Sequence, residues 1–259
     1  MSGNTITHDD RPVVVLEFGN EIPARSFDPV LPPELHAHRL RIDPLSYPGL
    51  AEAVPDLAAQ ARHWAAEIGT ATRPRAVLAY CSAAELAALL VDALPGPGTP
   101  LLVLDPVVPG PTTPQELLLD LALGMDDTLE PSEVLDITGL PASDALHRAS
   151  SFLRSLVTRA APDLEDDIAD ELTAGQRAWL GFTLSAAADR AAPPKLGHVV
   201  LSEGSEWPDA DARSVHRTGL TMTDLFGTSA VTPLVTELLA APVAAGGPRG
   251  KEEPCSRTS

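Results

Sequence analysis

The segment Ala76–Tyr80 constrains the fold more than any other part of the chain, because this apolar stretch runs directly into small residues and an alanine- and leucine-rich stretch. The pattern predicts a strand that reverses into a helix within one residue, which forces that residue into a strained turn with small neighbours. This is the geometry of a nucleophile elbow, usually written G-x-S-x-G. Here the five residues read Ala79-Tyr80-Cys81-Ser82-Ala83, with alanine for both glycines and cysteine for serine.

The thiol of Cys81 is the first candidate for a nucleophile. At an elbow it would lie near the amino end of the following helix, where the helix dipole and free backbone N–H groups stabilise a thiolate. A free cysteine is otherwise most often a small buried residue without a chemical role. Ser82 is the alternative nucleophile, but its frame places Tyr80 and Ala84 at the two glycine positions, where a tyrosine fits poorly. The sequence therefore favours Cys81.

Short apolar stretches alternate with helical patterns along the first half of the chain and again near its end. Strands are predicted at residues 13–18, 38–42, 76–80, 101–104 and 198–201, and helices at residues 50–68, 82–94 and 231–239. Strands that alternate with helices and are joined by short turns form a parallel sheet with right-handed crossovers. The fold class is therefore predicted to be α/β.

A predominantly helical stretch interrupts this alternation after the fourth predicted strand. Its clearest helices are predicted at residues 116–123, 143–159 and 173–188. We interpret residues 111–192 as a helical lid inserted into an α/β-hydrolase-like core of residues 12–110 and 193–241. Residues 1–11 are predicted to be a flexible N-terminus, and the Gly-, Pro- and charge-rich residues 242–259 a disordered tail.

The charge of the chain excludes one class of function. Its 259 residues carry a net charge of −18, and nucleic-acid binding needs clusters of Lys and Arg that are absent. No apolar run approaches the roughly 20 residues that cross a bilayer, and two cysteines are too few for a disulfide framework. We therefore expect a cytoplasmic protein with no membrane partner. Metal-ligand spacings and phosphate-binding loops are also missing from the sequence, so we expect neither a metal nor a cofactor.

Asp105 is the candidate for the acid that orients a general base. It follows the predicted strand Leu101–Leu104 and lies 24 residues after Cys81. In a doubly wound sheet the ligand-binding crevice lies at the carboxyl ends of the strands, where both residues would meet. The alternatives are that Asp105 only caps a proline-rich turn, or that Glu203 or Glu206 in a later loop supplies the acid.

Four segments together resemble the thioesterase family of polyketide and nonribosomal peptide synthetases, a branch of the α/β-hydrolases. They are residues 13–19, residues 45–49 with the sequence LSYPG, the elbow around Cys81, and residues 102–110 with the sequence LVLDPVVPG. The resemblance covers residues 12–241. It implies an α/β-hydrolase-like, mostly parallel sheet with helices on both faces and a helical lid insertion.

The resemblance also implies a site and its partners. Asp105 matches the triad acid of the family, and the N–H groups of Ser82 and of Phe18 or Gly19 match the donors of the oxyanion hole. Glu17 would bring negative charge to the loop where an oxyanion forms. The implied substrate is a small acyl or peptidyl thioester, carried by a phosphopantetheine-bearing carrier protein or a synthetase.

The general base is the main departure from the family. Family members end with a segment like Gly-Asp-His-Phe-Thr-Met, and aligning its last two residues with Thr221 and Met222 puts Gly219 in place of the histidine. His216, three residues earlier, is the candidate for a replacement base. A serine hydrolase that lacks a triad member keeps only about 10³–10⁴-fold catalysis over water, whereas a thiol is partly ionised near neutral pH. Such a site would accept an acyl group more readily than it would hydrolyse it.

Two functions follow from these residues, and the sequence leaves open whether the chain is an enzyme. The first is a thioesterase-like hydrolase or acyltransferase of natural-product biosynthesis, with Cys81 as nucleophile, Asp105 as acid and His216 as base. The second is a catalytically inactive thioesterase-like protein that binds or scaffolds a biosynthetic partner enzyme. A distance between Cys81 and His216 near hydrogen-bonding range favours the first function, and a distance well beyond one water favours the second.

Overall fold

A six-stranded parallel sheet forms the centre of the computed structural model, which describes residues 11–19, 25–69, 73–96, 98–187 and 194–240. The strands are β1 (Val13–Leu16), β2 (Arg39–Ile42), β3 (Ala76–Tyr80), β4 (Leu101–Leu104), β5 (Leu196–Leu201) and β6 (Ala212–Arg217). Their spatial order is β2-β1-β3-β4-β5-β6, and every neighbouring pair is parallel. Strands β1, β3 and β4 are buried along their whole length, which explains their continuous apolar sequences. The predicted α/β class is confirmed.

Helices connect or follow these strands. They are α1 (Leu57–Ile68), α2 (Ala84–Ala93), α6 (Met222–Gly227) and α7 (Thr232–Ala240). Helix α1 begins later than its predicted start at residue 50, because Asp56 caps it by accepting a hydrogen bond of 2.6 Å from the Ala59 N–H. It ends at Gly69, whose φ of 83° is the left-handed conformation that glycine tolerates at a helix end.

Three further helices lie between β4 and β5, where the sequence predicts a helical insertion. They are α3 (Thr113–Met125), α4 (Ala142–Ala160) and α5 (Asp166–Ala186). Buried side chains such as Leu118, Leu146 and Leu153 form a second core among these helices. Helix α5 belongs to both cores, because Leu180 packs in this second core and Phe182 in the core of the sheet. The bounds of the insertion as a separate unit, residues 111–192, stay a prediction.

The acidic start of α5 is tied to its neighbour α4. The Arg154 guanidinium donates a hydrogen bond of 2.9 Å from Nε to Asp170 Oδ1, and Arg177 lies 3.7 Å from the same oxygen. The hydrogen bond from Arg154 lowers the pKa of Asp170 against an opposing desolvation, and the charges of Arg154 and Arg177 add to the lowering. Asp170 therefore joins two helices of the insertion.

Strand β6 is an element that the sequence analysis does not predict. It is an edge strand paired only with β5 in the described sheet, and its residues are half-buried or exposed. Its sequence, ARSVHR, is polar at most positions and lacks the apolar run that marks a buried strand. This strand decides where His216 lies.

The predicted terminal segments fall almost entirely outside the described residues. Of the N-terminus predicted at residues 1–11 only Arg11 is described, and the tail predicted at residues 242–259 is not described at all. Among the described residues, the helices are too short or too polar to cross a membrane.

Candidate active site

Cys81 lies in the sharp turn that joins β3 to α2. Its φ of 51° is in the left-handed region, which costs a residue with a Cβ about 1–2 kcal/mol. The turn continues as a 3-10 helix over Cys81–Ala83 and leads directly into α2. Ala79 and Ala83 are fully buried on either side, which explains the small residues at these positions. The strand, turn and helix of an elbow are therefore present, and the half-buried thiol of Cys81 lies at the start of the helix.

Asp105 lies beside Cys81 at the end of the neighbouring strand. Tyr80 of β3 is in register with Leu104 of β4, so the two candidate residues each follow a paired position, and adjacent strands lie about 4.8 Å apart. Asp105 has a φ of 43° and is 2% exposed. Its Oδ1 accepts a hydrogen bond of 2.7 Å from the Ser202 N–H, whereas its Oδ2 is buried and has no hydrogen-bond partner among the described residues.

Gly219 lies just after the carboxyl end of β6, at the same edge of the sheet as Cys81 and Asp105. The Thr218 N–H donates to the Leu201 carbonyl at 2.9 Å, and the Glu203 N–H donates to the Leu220 carbonyl at 2.7 Å. These two bonds place Gly219 beside Ser202, whose own N–H holds the Asp105 carboxylate. A Cβ at Gly219 would have no atom within 4 Å, and its φ is not in the left-handed region. The position that matches the histidine of the family therefore lies beside the residue whose N–H holds Asp105, and it has room for a side chain.

His216 lies elsewhere on the sheet. Its register runs through Val200 and Leu104 to Tyr80, so three strand spacings, about 14 Å, separate it from the end of β3. Its Nε2 is hydrogen-bonded at 2.9 Å to the Ser214 hydroxyl on its own strand. The structure therefore does not bring His216 to Cys81, and the distance exceeds that of one bridging water.

A second imidazole extends this hydrogen-bonded chain on β5 and β6. His198 Nδ1 lies 2.8 Å from the Ser214 hydroxyl, which in turn contacts His216. Burial lowers the pKa of His198 below its usual value, and the nearby charges of Arg213 and His216 lower the pKa further. His216 thus belongs to a polar cluster at the edge of the sheet.

The three candidate oxyanion-hole donors differ in their surroundings. Ser82 is in the first turn after the elbow, where a helical N–H has no acceptor within the helix. The Phe18 N–H donates to the Tyr80 hydroxyl at 3.3 Å, and the Gly19 N–H donates to Asp43 Oδ2 at 3.1 Å. An oxyanion would have to displace the Tyr80 hydroxyl or the Asp43 carboxylate before it could use either of these two donors.

Glu17 does not bring an unpaired charge to this loop. It is 2% exposed, and its Oε1 accepts hydrogen bonds from the Phe27 N–H at 2.6 Å and the Ser26 hydroxyl at 3.3 Å. Its Oε2 forms an ion pair of 3.0 Å with Arg41. The carboxylate therefore organises the loop after β1, and the guanidinium of Arg41 neutralises it.

Aromatic side chains connect the elbow to the helical insertion. The Phe18 ring packs against the Tyr80 ring at 5.6 Å and against the Trp179 ring of α5 at 4.5 Å between centroids. Trp179 also lines a groove of about 520 Å³ together with apolar side chains from α3, α5 and the turn before α1, namely Leu45, Leu121 and Leu172. Leu172 is 56% exposed there. The ring of Phe18 therefore lies in the loop beside Cys81 and contacts Trp179, which lines this apolar groove.

The alternative candidates have weaker positions. Glu203 and Glu206 are exposed, in contrast to the buried Asp105, and Ser82 is half-buried within the 3-10 turn. Within the described ranges no group of three or more His, Cys, Asp or Glu side chains is arranged to hold a metal ion. Cys81 and Asp105 remain the pair that the fold places together.

Comparisons with known proteins identify the fold. No protein-family model and no curated protein sequence matches the chain. Among solved structures, the chain is similar to the NocB thioesterase domain in covalent complex with a fluorophosphonate nocardicin G analog, with a TM-score of 0.50 at 15% identity over 89% of this chain and 96% of that one. It is also similar to the Vlm2 thioesterase domain bound with a dodecadepsipeptide, with a TM-score of 0.47 at 15% identity over 88% and 94% of the two chains.

The low identity limits this likeness to the fold. The sheet and insertion order, the elbow at Cys81 and the likeness to the NocB domain agree with the resemblance that four sequence segments indicate. The chain therefore has an α/β-hydrolase-like fold that is similar to the fold of the NocB thioesterase domain.

Proposed function

We propose that Cys81 accepts an acyl or peptidyl group from a thioester and passes it on, as a thioesterase-like acyltransferase of natural-product biosynthesis. The strained backbone of Cys81 carries this proposal. A residue with a Cβ at a φ of 51° persists only where the surrounding structure holds it there, and such residues cluster at functional sites. Its place between a buried strand and a helix start adds the electrostatic support that a thiolate needs.

The first half of the reaction suits these residues. The Cys81 thiolate attacks the thioester carbonyl carbon, a new carbon–sulfur bond forms, the bond to the donor sulfur breaks, and the donor leaves as a thiol after it takes a proton. The exchange of one thioester for another needs no activated water. The Ser82 N–H, in the first turn after the elbow, is the donor proposed to stabilise the developing oxyanion.

Hydrolysis of the resulting acyl-Cys81 is the step that this site supports least. It requires a general base to activate water, which typically contributes about 10²–10⁴-fold. Gly219 matches the base of the family in the sequence and carries no side chain, and His216 lies three strands from the end of β3. We therefore propose acyl transfer rather than hydrolysis as the main activity.

The apolar groove beside Trp179 is proposed to hold the acyl chain. It has space for a sizeable apolar group, and its walls come from the helical insertion and from the turn before α1. The donor would be a phosphopantetheine-bearing carrier protein, which is the donor that the resemblance to the thioesterase family implies. The likeness in fold to the NocB and Vlm2 thioesterase domains is compatible with a donor of this kind.

A second candidate function is a scaffold without chemistry that binds a biosynthetic partner enzyme. The position of His216 favours it, because a catalytic base cannot act across three strands. The engaged N–H groups of Phe18 and Gly19 favour it as well. The fold is compatible with either function.

Intact-protein mass spectrometry after incubation with a panel of acyl N-acetylcysteamine thioesters tests the proposal. We expect one acyl group per wild-type chain and none on Cys81→Ala. The matched control is Cys81→Ser, which keeps the elbow but offers a weaker nucleophile and should be acylated far more slowly. Wild-type protein that gains no mass from any thioester, with a thiol that still reacts with a maleimide, would refute the acyltransferase and leave the scaffold.

A further inference from the structure

A cavity at the amino ends of β4 and β5 lies apart from the candidate active site. It has a volume of about 180 Å³, and the first residues of these two strands, Leu101 and Leu196, line it. Cys81 and Asp105 instead follow the carboxyl ends of β3 and β4. Because β4 spans about 13 Å, the cavity and the elbow lie at opposite ends of the strands.

Three basic side chains line this cavity. They belong to Lys195 just before β5, His198 on β5 and Arg213 on β6. Lys195 and Arg213 are exposed, and neither forms an ion pair with another described residue. Asp92 of α2 is the one carboxylate among the described lining residues, although the chain has 36 acidic and only 18 basic residues. The balance of charge at the cavity is thus the reverse of that of the chain, which favours an anionic ligand.

Two further groups at the cavity can donate hydrogen bonds. Thr99 is buried, and its Oγ1 accepts a hydrogen bond of 3.0 Å from Arg73 Nε, so its own hydroxyl proton is available to a ligand. The Nδ1 of His198 lies 2.8 Å from the Ser214 hydroxyl, which leaves its Nε2 as the donor to a ligand. The cavity is many times larger than the roughly 15 Å³ that one water needs, so a phosphate group fits.

Several charges surround His198. Burial lowers its pKa, and the charges of Arg213 and His216 lower the pKa further. Lys195 adds another positive charge at the cavity, and Asp92 adds a negative one. A bound dianion would offset the positive charges and favour the protonated imidazole. Occupation of the cavity should therefore raise the pKa of His198.

We propose that this cavity binds a phosphate group between Lys195 and Arg213. The Thr99 hydroxyl and His198 Nε2 complete the set of donors. A phosphate dianion matches two permanent cations, and its oxygens accept several charge-assisted hydrogen bonds at once, whereas a carboxylate neutralises only one cation. The ligand is inorganic phosphate or a small phosphate monoester, whose organic part would pack against apolar walls such as Val91. This site goes beyond the proposed function, because it needs no chemistry at the elbow.

Nuclear magnetic resonance of histidine-labelled protein tests the site directly. Inorganic phosphate, butyl phosphate and acetate are each titrated at constant ionic strength and at a pH of about 8, where the phosphates are mainly dianions. We expect both phosphates to shift the ring resonances of His198 in a saturable way, and acetate to bind at least about tenfold more weakly. Tighter binding of butyl phosphate would identify a monoester as the ligand, and equal or tighter binding of inorganic phosphate would identify the free anion.

Variants of the lining residues should have effects of opposite sign. We expect Lys195→Met and Arg213→Met each to weaken phosphate binding about tenfold, as for the loss of one charge-assisted hydrogen bond. Asp92→Asn removes the carboxylate at the cavity and should strengthen binding, which damage to the fold would not do. Arg62→Met, at an exposed position of α1, is the matched control and should leave the affinity unchanged.

The pKa of His198 is the second readout. Measured from its ring resonances, it should rise when phosphate saturates the wild-type protein and stay unchanged in the variant that carries both Lys195→Met and Arg213→Met. Phosphate that binds no more tightly than acetate, or equally to wild type and to this double variant, overturns the inference. Neither readout depends on acylation of Cys81, so a chain that never forms an acyl adduct can still have the phosphate site, and the reverse also holds.

Discussion

Cys81 and Asp105 both hold positive φ angles, 51° and 43°, at the ends of neighbouring strands. Among the described residues they are the only non-glycine residues in this conformation. Backbone strain of this kind is retained where the geometry serves a site, and here the two strained residues follow paired positions of neighbouring strands. At the scale of single residues, this pair is the strongest indication of function in the molecule.

The strain at Cys81 has a measurable consequence for stability. We expect Cys81→Gly to raise the free energy of unfolding by up to about 1 kcal/mol, because glycine adopts a positive φ without steric cost. Ala83→Gly, two residues later at a φ of −74°, is the matched control and should lower it by about 1 kcal/mol. Urea denaturation of the two variants measures both values. A Cys81→Gly variant less stable than Ala83→Gly would contradict the strain.

Restoring the base at Gly219 should turn acyl transfer into hydrolysis. We expect Gly219→His to place an imidazole near Ser202, whose N–H holds Asp105, because the position has open space and no positive φ. The expected gain in the rate of acyl-Cys81 hydrolysis is about 10²-fold, at the low end for general-base catalysis.

The lifetime of the acyl adduct by mass spectrometry reports this gain. Gly219→Leu, of similar bulk but without a base, should hydrolyse no faster than wild type, and adding Asp105→Asn to Gly219→His should remove most of the gain. An imidazole at residue 219 that leaves the adduct as long-lived as in wild type would show that Asp105 and Gly219 do not form a triad geometry with Cys81.

At the residue scale, the positions of Cys81 and Asp105 can be predicted from the sequence better than the groups that contact them can. The positions of Cys81 and Asp105 could be predicted because each follows a buried apolar strand, and parallel strands end at the same edge of a sheet. The Ser202 N–H that holds Asp105 could not be predicted, because a backbone donor leaves no mark in the sequence. The distance of His216 from Cys81 depends on the register of an unpredicted strand.

At the scale of elements, helix α5 joins the insertion to the sheet. Its Gly181 approaches the backbone of the turn after the LSYPG segment so closely that a Cβ would collide with the carbonyl oxygen of Leu50. Trp179 and Phe182 on the same helix pack their rings against Phe18, beside the elbow. The position of α5 is therefore set by one glycine and a small group of aromatic rings.

The close approach at Gly181 predicts a costly substitution. We expect Gly181→Ala to lower the free energy of unfolding by about 1–3 kcal/mol, because the added methyl group must push α5 away from a rigid backbone oxygen. Gly124→Ala, at an exposed position of α3 with open space around its Cβ, is the control and should raise it by about 1 kcal/mol through helix propensity. Urea denaturation distinguishes them, and equal effects of the two substitutions would contradict the close packing of α5.

The hydrogen bond between Arg154 and Asp170 predicts an acid-sensitive contact between α4 and α5. The folded state lowers the pKa of Asp170, so the contact stabilises the fold above the unfolded value of about 3.9 and is lost as the pH falls through the lower folded pKa. We expect the stability difference between wild type and Arg154→Met to shrink as the pH is lowered from about 5 to 2. Arg148→Met, on the same helix at an exposed site, is the control and should show a pH-independent difference. Thermal melts across this range test it, and a difference for Arg154→Met that stays constant with pH would contradict the contact.

The elements differ in how clearly their sequences predict them. Strands β3 and β4 are predicted with the bounds that the structure has, because they are fully buried and consist only of apolar residues and one tyrosine. Strand β6 lacks this signal, since it lies at the sheet edge and four of its six residues are polar or charged. Helix α5 starts seven residues before its predicted start at residue 173, because the acidic residues that resemble a solvated loop form its first turns.

At the scale of the whole molecule, the chain has an α/β-hydrolase-like frame, and its candidate site residues differ from those that the resemblance implies. The sheet order and the insertion after β4 form this frame, whose fold is similar to that of the NocB thioesterase domain. Within that frame the elbow carries a thiol, and glycine stands at the position that matches the general base. We propose that a site of this composition captures an acyl group more readily than it releases the group to water.

The lifetime of the acyl group on Cys81 tests this claim most directly. Wild-type protein is mixed with one equivalent of an acyl N-acetylcysteamine thioester, and the intact mass is followed over time by mass spectrometry. We predict that the acyl adduct rises to one per chain and persists for many times the period of its formation. Release of the free acid without accumulation of an adduct, or no reaction of the thioester at all, would contradict the claim.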